Sequence, residues 1–141
     1  MIIESLTHYD IKILIALQQA LAGSKKFFYW LLHNGYPELA AFSNAVRGDE
    51  KALAWLFENE FPVLGILSNA IDGDPEAVLW VERSQDEFLL HFSRACRQNK
   101  DSVEWFRKRD LKIFLAMIDE IIKVLETQIK DHMFPYRKGQ W

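Results

Sequence analysis

Cysteine is nearly missing from this chain: Cys96 is the only one in 141 residues. That excludes an intramolecular disulfide and any zinc site built on several thiolates, and it fits a reducing compartment. Proline and glycine are sparse, at four and six residues, so no low-complexity linker divides the sequence. No apolar run approaches the roughly 18 residues of a membrane span. The opening stretch MIIESLTHYDIKILIALQQALAG has no basic leader and is broken by Glu4, Asp10 and Lys12, unlike a signal peptide. A cytoplasmic location without membrane attachment is expected. Charge of one sign is lacking too: a formal net charge of −3 gives no overall basic field for nucleic acid or an anionic membrane. Sustained period-two alternation, the mark of a half-buried strand, does not occur. Nor does a GxSxG elbow, a P-loop, a dinucleotide-binding glycine pattern or a helix with paired histidines.

What remains is half hydrophobic, enough to build one core, and it is written as a repeat. Rows of 25 residues from Lys12 cover 12–36, 37–61, 62–86 and 87–111 without a gap. Position 3 of the row is Leu14, Leu39, Leu64 and Leu89, and position 6 is Leu17, Phe42, Leu67 and Phe92. Position 9 is Ala20, Ala45, Ala70 and Ala95; position 10 is Leu21, Val46, Ile71 and Cys96. Position 19 is Trp30, Trp55, Trp80 and Trp105, which places four of the five tryptophans in one phase. A period this short and this regular is the signature of stacked supersecondary units.

Positions 3, 6 and 10 make the stripe of an amphipathic helix. Gly23, Gly48 and Gly73 at position 12 suit the left-handed residue that ends it. Ser24, Asp49, Asp74 and Asn99 follow at position 13, all good N-caps for a second helix. Pro37, Pro62 and Pro75 fall in first turns, where the missing N–H costs nothing. The sequence therefore predicts an all-α fold: a short, right-angled stack of antiparallel helix pairs, an α-solenoid of four 25-residue repeats in a single domain spanning 1–141. Residues 1–11 read as a truncated preceding half-repeat, with Ile3 and Leu6 in second-helix columns and Thr7 with Asp10 as a capping-box-like start. After Asp110 the first-helix pattern restarts but meets no glycine turn. Leu111, Phe114, Leu115, Ile118, Ile122, Leu125 and Ile129 continue it as one capping helix over 111–133, with a frayed tail at 134–141.

Several features could carry chemistry. Asp49 and Asp74 resemble duplicated catalytic carboxylates until Ser24 and Asn99 are set beside them. A hydroxyl, a carboxylate and an amide share capping ability, not acid–base chemistry. The stretch DGDPE at 72–76 begins like a calcium loop, but Ala77 and Arg83 stand where the glycine and the bidentate glutamate belong. The tryptophan column could be a stacking platform, but apolar neighbours in every row favour core, as does the alanine column that lets helices approach closely. On that reading Trp55→Ala costs about 3–5 kcal/mol. His8, His33, His91 and His132 share no ligand spacing, and Cys96 sits in an apolar column. No cofactor, metal site or catalytic residue is assigned.

Variation between rows is more telling. Residues 62–86 hold five acids and one base, whereas 87–141 hold eleven bases and eight acids. Arg107, Lys108 and Arg109 head a basic edge that reads as a solvated surface, or as a contact for an acidic partner or a phosphate backbone. Position 18 holds Tyr29, Ala54, Leu79 and Glu104, and position 21 holds Leu32, Phe57, Glu82 and Arg107. This second-helix face is covered by a neighbouring helix or serves as a partner or dimer surface.

The GDxxAxxWL rows resemble those of uncharacterised bacterial helical-repeat proteins over residues 3–125, within the broad class that includes HEAT, armadillo and tetratricopeptide arrays. That resemblance implies binding rather than catalysis. The expectation is a non-enzymatic interaction or scaffold module for an unidentified protein partner, with homodimerisation as a variant and nucleic-acid binding by the basic edge as the alternative. Its expected contacts are Tyr29, Leu32, Phe57, Leu79, Arg107, Lys108 and Arg109.

Overall fold

Turns set the architecture, because the same short device recurs between successive helices. A computed structural model describes residues 5–133, with side chains to residue 129. The half-repeat residue Ile3 and the tail at 134–141 lie outside the described residues. A single 3-10 turn, Leu6–His8, precedes nine α-helices among the described residues, and no strand is found there. These are α1 (Ile11–Leu21), α2 (Lys25–His33), α3 (Pro37–Val46), α4 (Glu50–Glu58), α5 (Pro62–Ile71), α6 (Pro75–Arg83), α7 (Glu87–Cys96), α8 (Lys100–Lys108) and α9 (Lys112–Met133).

Ser24, Asp49, Asp74 and Asn99 each work in two directions. Their backbone N–H groups reach back to Gln19, Asn44, Asn69 and Arg94 carbonyls at 2.9–3.0 Å, closing the helix behind. Their side chains accept from the backbone N–H of Phe27, Ala52, Ala77 and Ser102 in the helix ahead. The residue before each is left-handed: Gly23, Gly48 and Gly73 have φ of 100°, 101° and 85°, and Gln98 is forced to 68°. The first helix starts differently from the expected capping box. Asp10 itself is its N-cap, without a side-chain cap bond, and Thr7 belongs to the preceding 3-10 turn.

Odd-numbered helices form an inner row, since α1 packs on α3, α3 on α5, α5 on α7 and α7 on α9. Each even-numbered helix lies outside, wedged between two inner ones. The core is the inner row's own columns. Leu17, Phe42, Leu67 and Phe92 are each 0% exposed, and Met117 continues that column at the same period and the same burial. Phe114 and Ile121 likewise continue positions 3 and 10 into α9.

Two expectations need correction. The long helix packs on α7 and α8, but it also packs extensively on α1, so it joins the two ends of the inner row. Its buried stripe is therefore Phe114, Met117, Ile118 and Ile121, while Ile129 is 58% exposed. The tryptophan column lies at the edge of the core rather than at its centre, with Trp55, Trp80 and Trp105 packed against it. Trp30 is 42% exposed, and Trp55, Trp80 and Trp105 are only half-buried. The fully buried place is one residue on, at Leu31, Leu56, Val81 and Phe106, which points between the two inner helices. The tryptophans lie across the seam instead: Trp30 stacks on Tyr36 at 6.2 Å and Trp55 on Phe61 at 6.0 Å. In the alanine column Ala20, Ala70 and Ala95 are buried and Ala45 is half-buried.

Leu56→Ala is accordingly expected to cost about 2–5 kcal/mol by leaving a cavity. Trp55→Ala should cost only about 1–2 kcal/mol, the loss of a stacked, partly wet ring. Chemical denaturation of both variants checks that order. Gln98→Gly relieves a left-handed residue worth about 1 kcal/mol, so a melting temperature about 2–4 °C higher is expected.

Candidate functional site

In a helical stack the inner face is the natural binding surface; here α9 packs against α1 as well as α7 and α8. Beyond Ile121 the last turns of α9 extend past the C-terminal ends of α1, α3, α5 and α7. Gln128 donates from Nε2 to the Val46 carbonyl at 3.2 Å, 82 residues away in sequence. Three recesses of about 370, 280 and 600 Å³ surround these turns, and Gln128 lines all three. They are seams left where α9 crosses the helix ends. Two arginines seal the neighbouring edges. Arg47 Nη1 donates to the Leu21 carbonyl at 3.0 Å, and Arg97 Nη1 to the Ala70 carbonyl at 2.6 Å. Each adds a donor to the C-terminal carbonyls and faces the negative dipole end of the preceding inner helix. Both stand at position 11 of their rows, a signal the core columns drew attention away from.

The outer face is different. Tyr29 is 53% exposed, Leu32 39%, and Phe57 and Leu79 43% each. Tyr29 and Leu79 share position 18 of their rows, and Leu32 and Phe57 share position 21, on the outer helices α2, α4 and α6. The Phe57 ring reaches the next inner helix: a methyl group added at Gly65 would come within 2.6 Å of it. Tyr29 stacks on His33. Apolar side chains held in place but uncovered are the composition of an interface centre.

The basic edge is largely occupied within the chain. Arg107 is hydrogen-bonded to Glu104, and Arg94 lies 3.6 Å from Glu82. Arg109 donates to the Trp105 carbonyl at 3.1 Å with its guanidinium 4.0 Å above the Trp105 ring. Lys108 is exposed and makes no ion pair among the described residues. Of the three residues read as a patch, Lys108 alone thus presents an uncommitted charge.

One polar pair does break the repeat. His91 Nδ1 lies 3.0 Å from Ser102 Oγ, and the imidazole stacks on Trp105 at 4.6 Å. The equivalent columns elsewhere hold Ala16, Ala41 and Ile66, and Phe27, Ala52 and Ala77, so the signal lay in two departures within one row. Ser102 is buried, so its hydroxyl is closed to a substrate, and the pair latches α7 to α8. Cys96 is equally enclosed, and burial pushes its thiol pKa far up, leaving it unreactive. No group of three or more His, Cys, Asp or Glu converges on a cation-sized site among the described residues. No described helix is long and apolar enough to cross a membrane. Comparison with protein-family models, with curated proteins and with solved structures returns no match.

Burial lowers the His91 pKa below 6.5, Arg94 and Arg109 lower it further, and Glu87 opposes them. The folded state thus prefers the neutral ring. Its contribution to stability is complete above the unfolded value and is lost as pH falls through about 6.5 towards the lower folded value. Melting between about pH 7.5 and pH 5.5 should drop less for His91→Gln than for the parent. Identical pH dependence would exclude this latch as a titrating group.

Proposed function

We propose that this protein is a binding module without a reaction of its own, which docks a protein partner on its outer face. One observation supports the reading: α9 packs on both α7 and α1, and Tyr29, Trp30, Leu32, Phe57 and Leu79 on α2, α4 and α6 make up most of the exposed large apolar side chains among the described residues, with Ile11 and Ile15 on α1 and Ile129 on α9 as the others. Tyr29, Leu32, Phe57 and Leu79 would supply the desolvated centre, since aromatic residues dominate binding energy at interfaces. Lys108, with Arg107 and Arg109 beside it, would form a charged rim that steers approach more than it adds affinity.

Capture from native extract by the immobilised protein tests the proposal. Tyr29→Ala combined with Phe57→Ala should remove at least about 90% of a specific partner, the loss of about 1.4 kcal/mol or more. Lys108→Glu should weaken capture mainly at low salt. Full retention by the double variant would refute the outer-face reading. Retention of nucleic acid that fades steeply with salt would instead move the site to the basic edge.

A further inference from the structure

Position 11 of the rows follows the last apolar column and holds Ala22, Arg47, Asp72 and Arg97. Arg47 bridges the seam from α3 to the Leu21 carbonyl of α1, and Arg97 the seam from α7 to the Ala70 carbonyl of α5. The α3–α5 seam lies between these two, and there the column supplies Asp72, a carboxylate that accepts but does not donate. The Val46 carbonyl at that seam receives Gln128 of α9 instead, at 3.2 Å. The replacement matches in space as well as in chemistry. A Cβ placed on Gly48 would lie 3.3 Å from Gln128 Nε2, as one on Gly23 would lie 3.4 Å from Arg47 Nη2. Gln128 thus stands where the third row lacks its arginine.

The long helix is held unevenly along its length. Ile121 is its last buried side chain among the described residues, and 122–129 are half-buried or exposed. Lys123 pairs with Asp119 and Glu120, and Thr127 Oγ1 donates to the Lys123 carbonyl, all within α9. Among the described residues, the Gln128 bond is the one hydrogen bond or ion pair that this stretch sends to another helix. The recesses around it are lined on their far side by the position-10 column, Leu21, Val46, Ile71 and Cys96. We propose that residues 122–129 form a releasable strap, latched at the α3–α5 seam by Gln128 in the place of the missing arginine. Its opening uncovers the position-10 column as an apolar trough and leaves the helix pairs intact. A stretch with few buried contacts and one anchoring bond opens at a fraction of the cost of global unfolding. The strap is independent of the outer-face reading.

Cys96 is the only thiol, is 1% exposed and lines the recess beside Ile129, so its alkylation by N-ethylmaleimide reports the opening. In the intact parent the rate should be nearly constant over low urea concentrations, since lifting a short stretch exposes little surface. Gln128→Ala should raise the rate about five-fold, the net weight of one hydrogen bond, with an unchanged circular dichroism spectrum. Gln128→Arg keeps a donor at the seam and should react at close to the parent rate. Asp72→Arg supplies the competing donor, so the nuclear Overhauser cross-peak between the Gln128 side-chain amide and Val46 should vanish. A parent rate that climbs with urea in step with unfolding would overturn the proposal. So would a Gln128→Ala rate equal to the parent's, a Gln128→Arg rate as fast as that of Gln128→Ala, or an Asp72→Arg variant that keeps the cross-peak.

Discussion

The contact between α9 and α1 decides what the rest of the molecule can offer. A row of helix pairs normally has two raw ends and an open inner groove, and each is apolar surface that must be covered or used. Here one helix packs against both ends of the row, although Ile11 and Ile15 of α1 stay exposed. Its first turns supply the next members of columns 3, 6 and 10, as Phe114, Met117 and Ile121, and so cover α7 and α8. The helix also packs on α1, and its later turns lie over the helix ends, where Gln128 donates to the Val46 carbonyl.

Short turns make the closure affordable in chain length. One residue ends a helix, and the next completes that ending while beginning the following helix. Every helix from α2 to α8 is therefore nine or ten residues long, which keeps the columns in phase from row to row. Local and tertiary preferences agree at nearly every step, the condition for a sequence that specifies one structure. The exceptions lie on the surface: Glu60, Gln85, Gln98 and Asp110 in left-handed turns, and lysines and glutamates at the wrong helix ends.

Much of this was legible in the residues, and the gaps have physical causes. The 25-residue period gives helix boundaries, turn chemistry and the inner columns, because those depend on neighbours a few residues apart. It does not give curvature, which sums small rotations between units; nothing in the spacing of Leu17, Phe42, Leu67 and Phe92 says that α9 returns to α1. The tryptophans mislead because adjacent residues of a helix lie about 100° apart and a large ring reaches across the boundary. Leu56 faces the inner helices while Trp55 lies over the seam. The outer columns at Tyr29 and Phe57 were visible as apolar positions outside the core stripe, but only packing distinguishes a covered face from an uncovered one. His91 and Ser102 stayed hidden because their partnership crosses a turn, 11 residues apart.

The most direct measurement is a nuclear Overhauser spectrum of the intact protein, read at the side-chain amide of Gln128. Closure predicts cross-peaks from that amide to Val46 and Gly48, together with methyl contacts between α9 and α1. Contacts from α9 to α7 and α8 alone, with none to α1 or Val46, would contradict it and return the inner face to the list of binding surfaces.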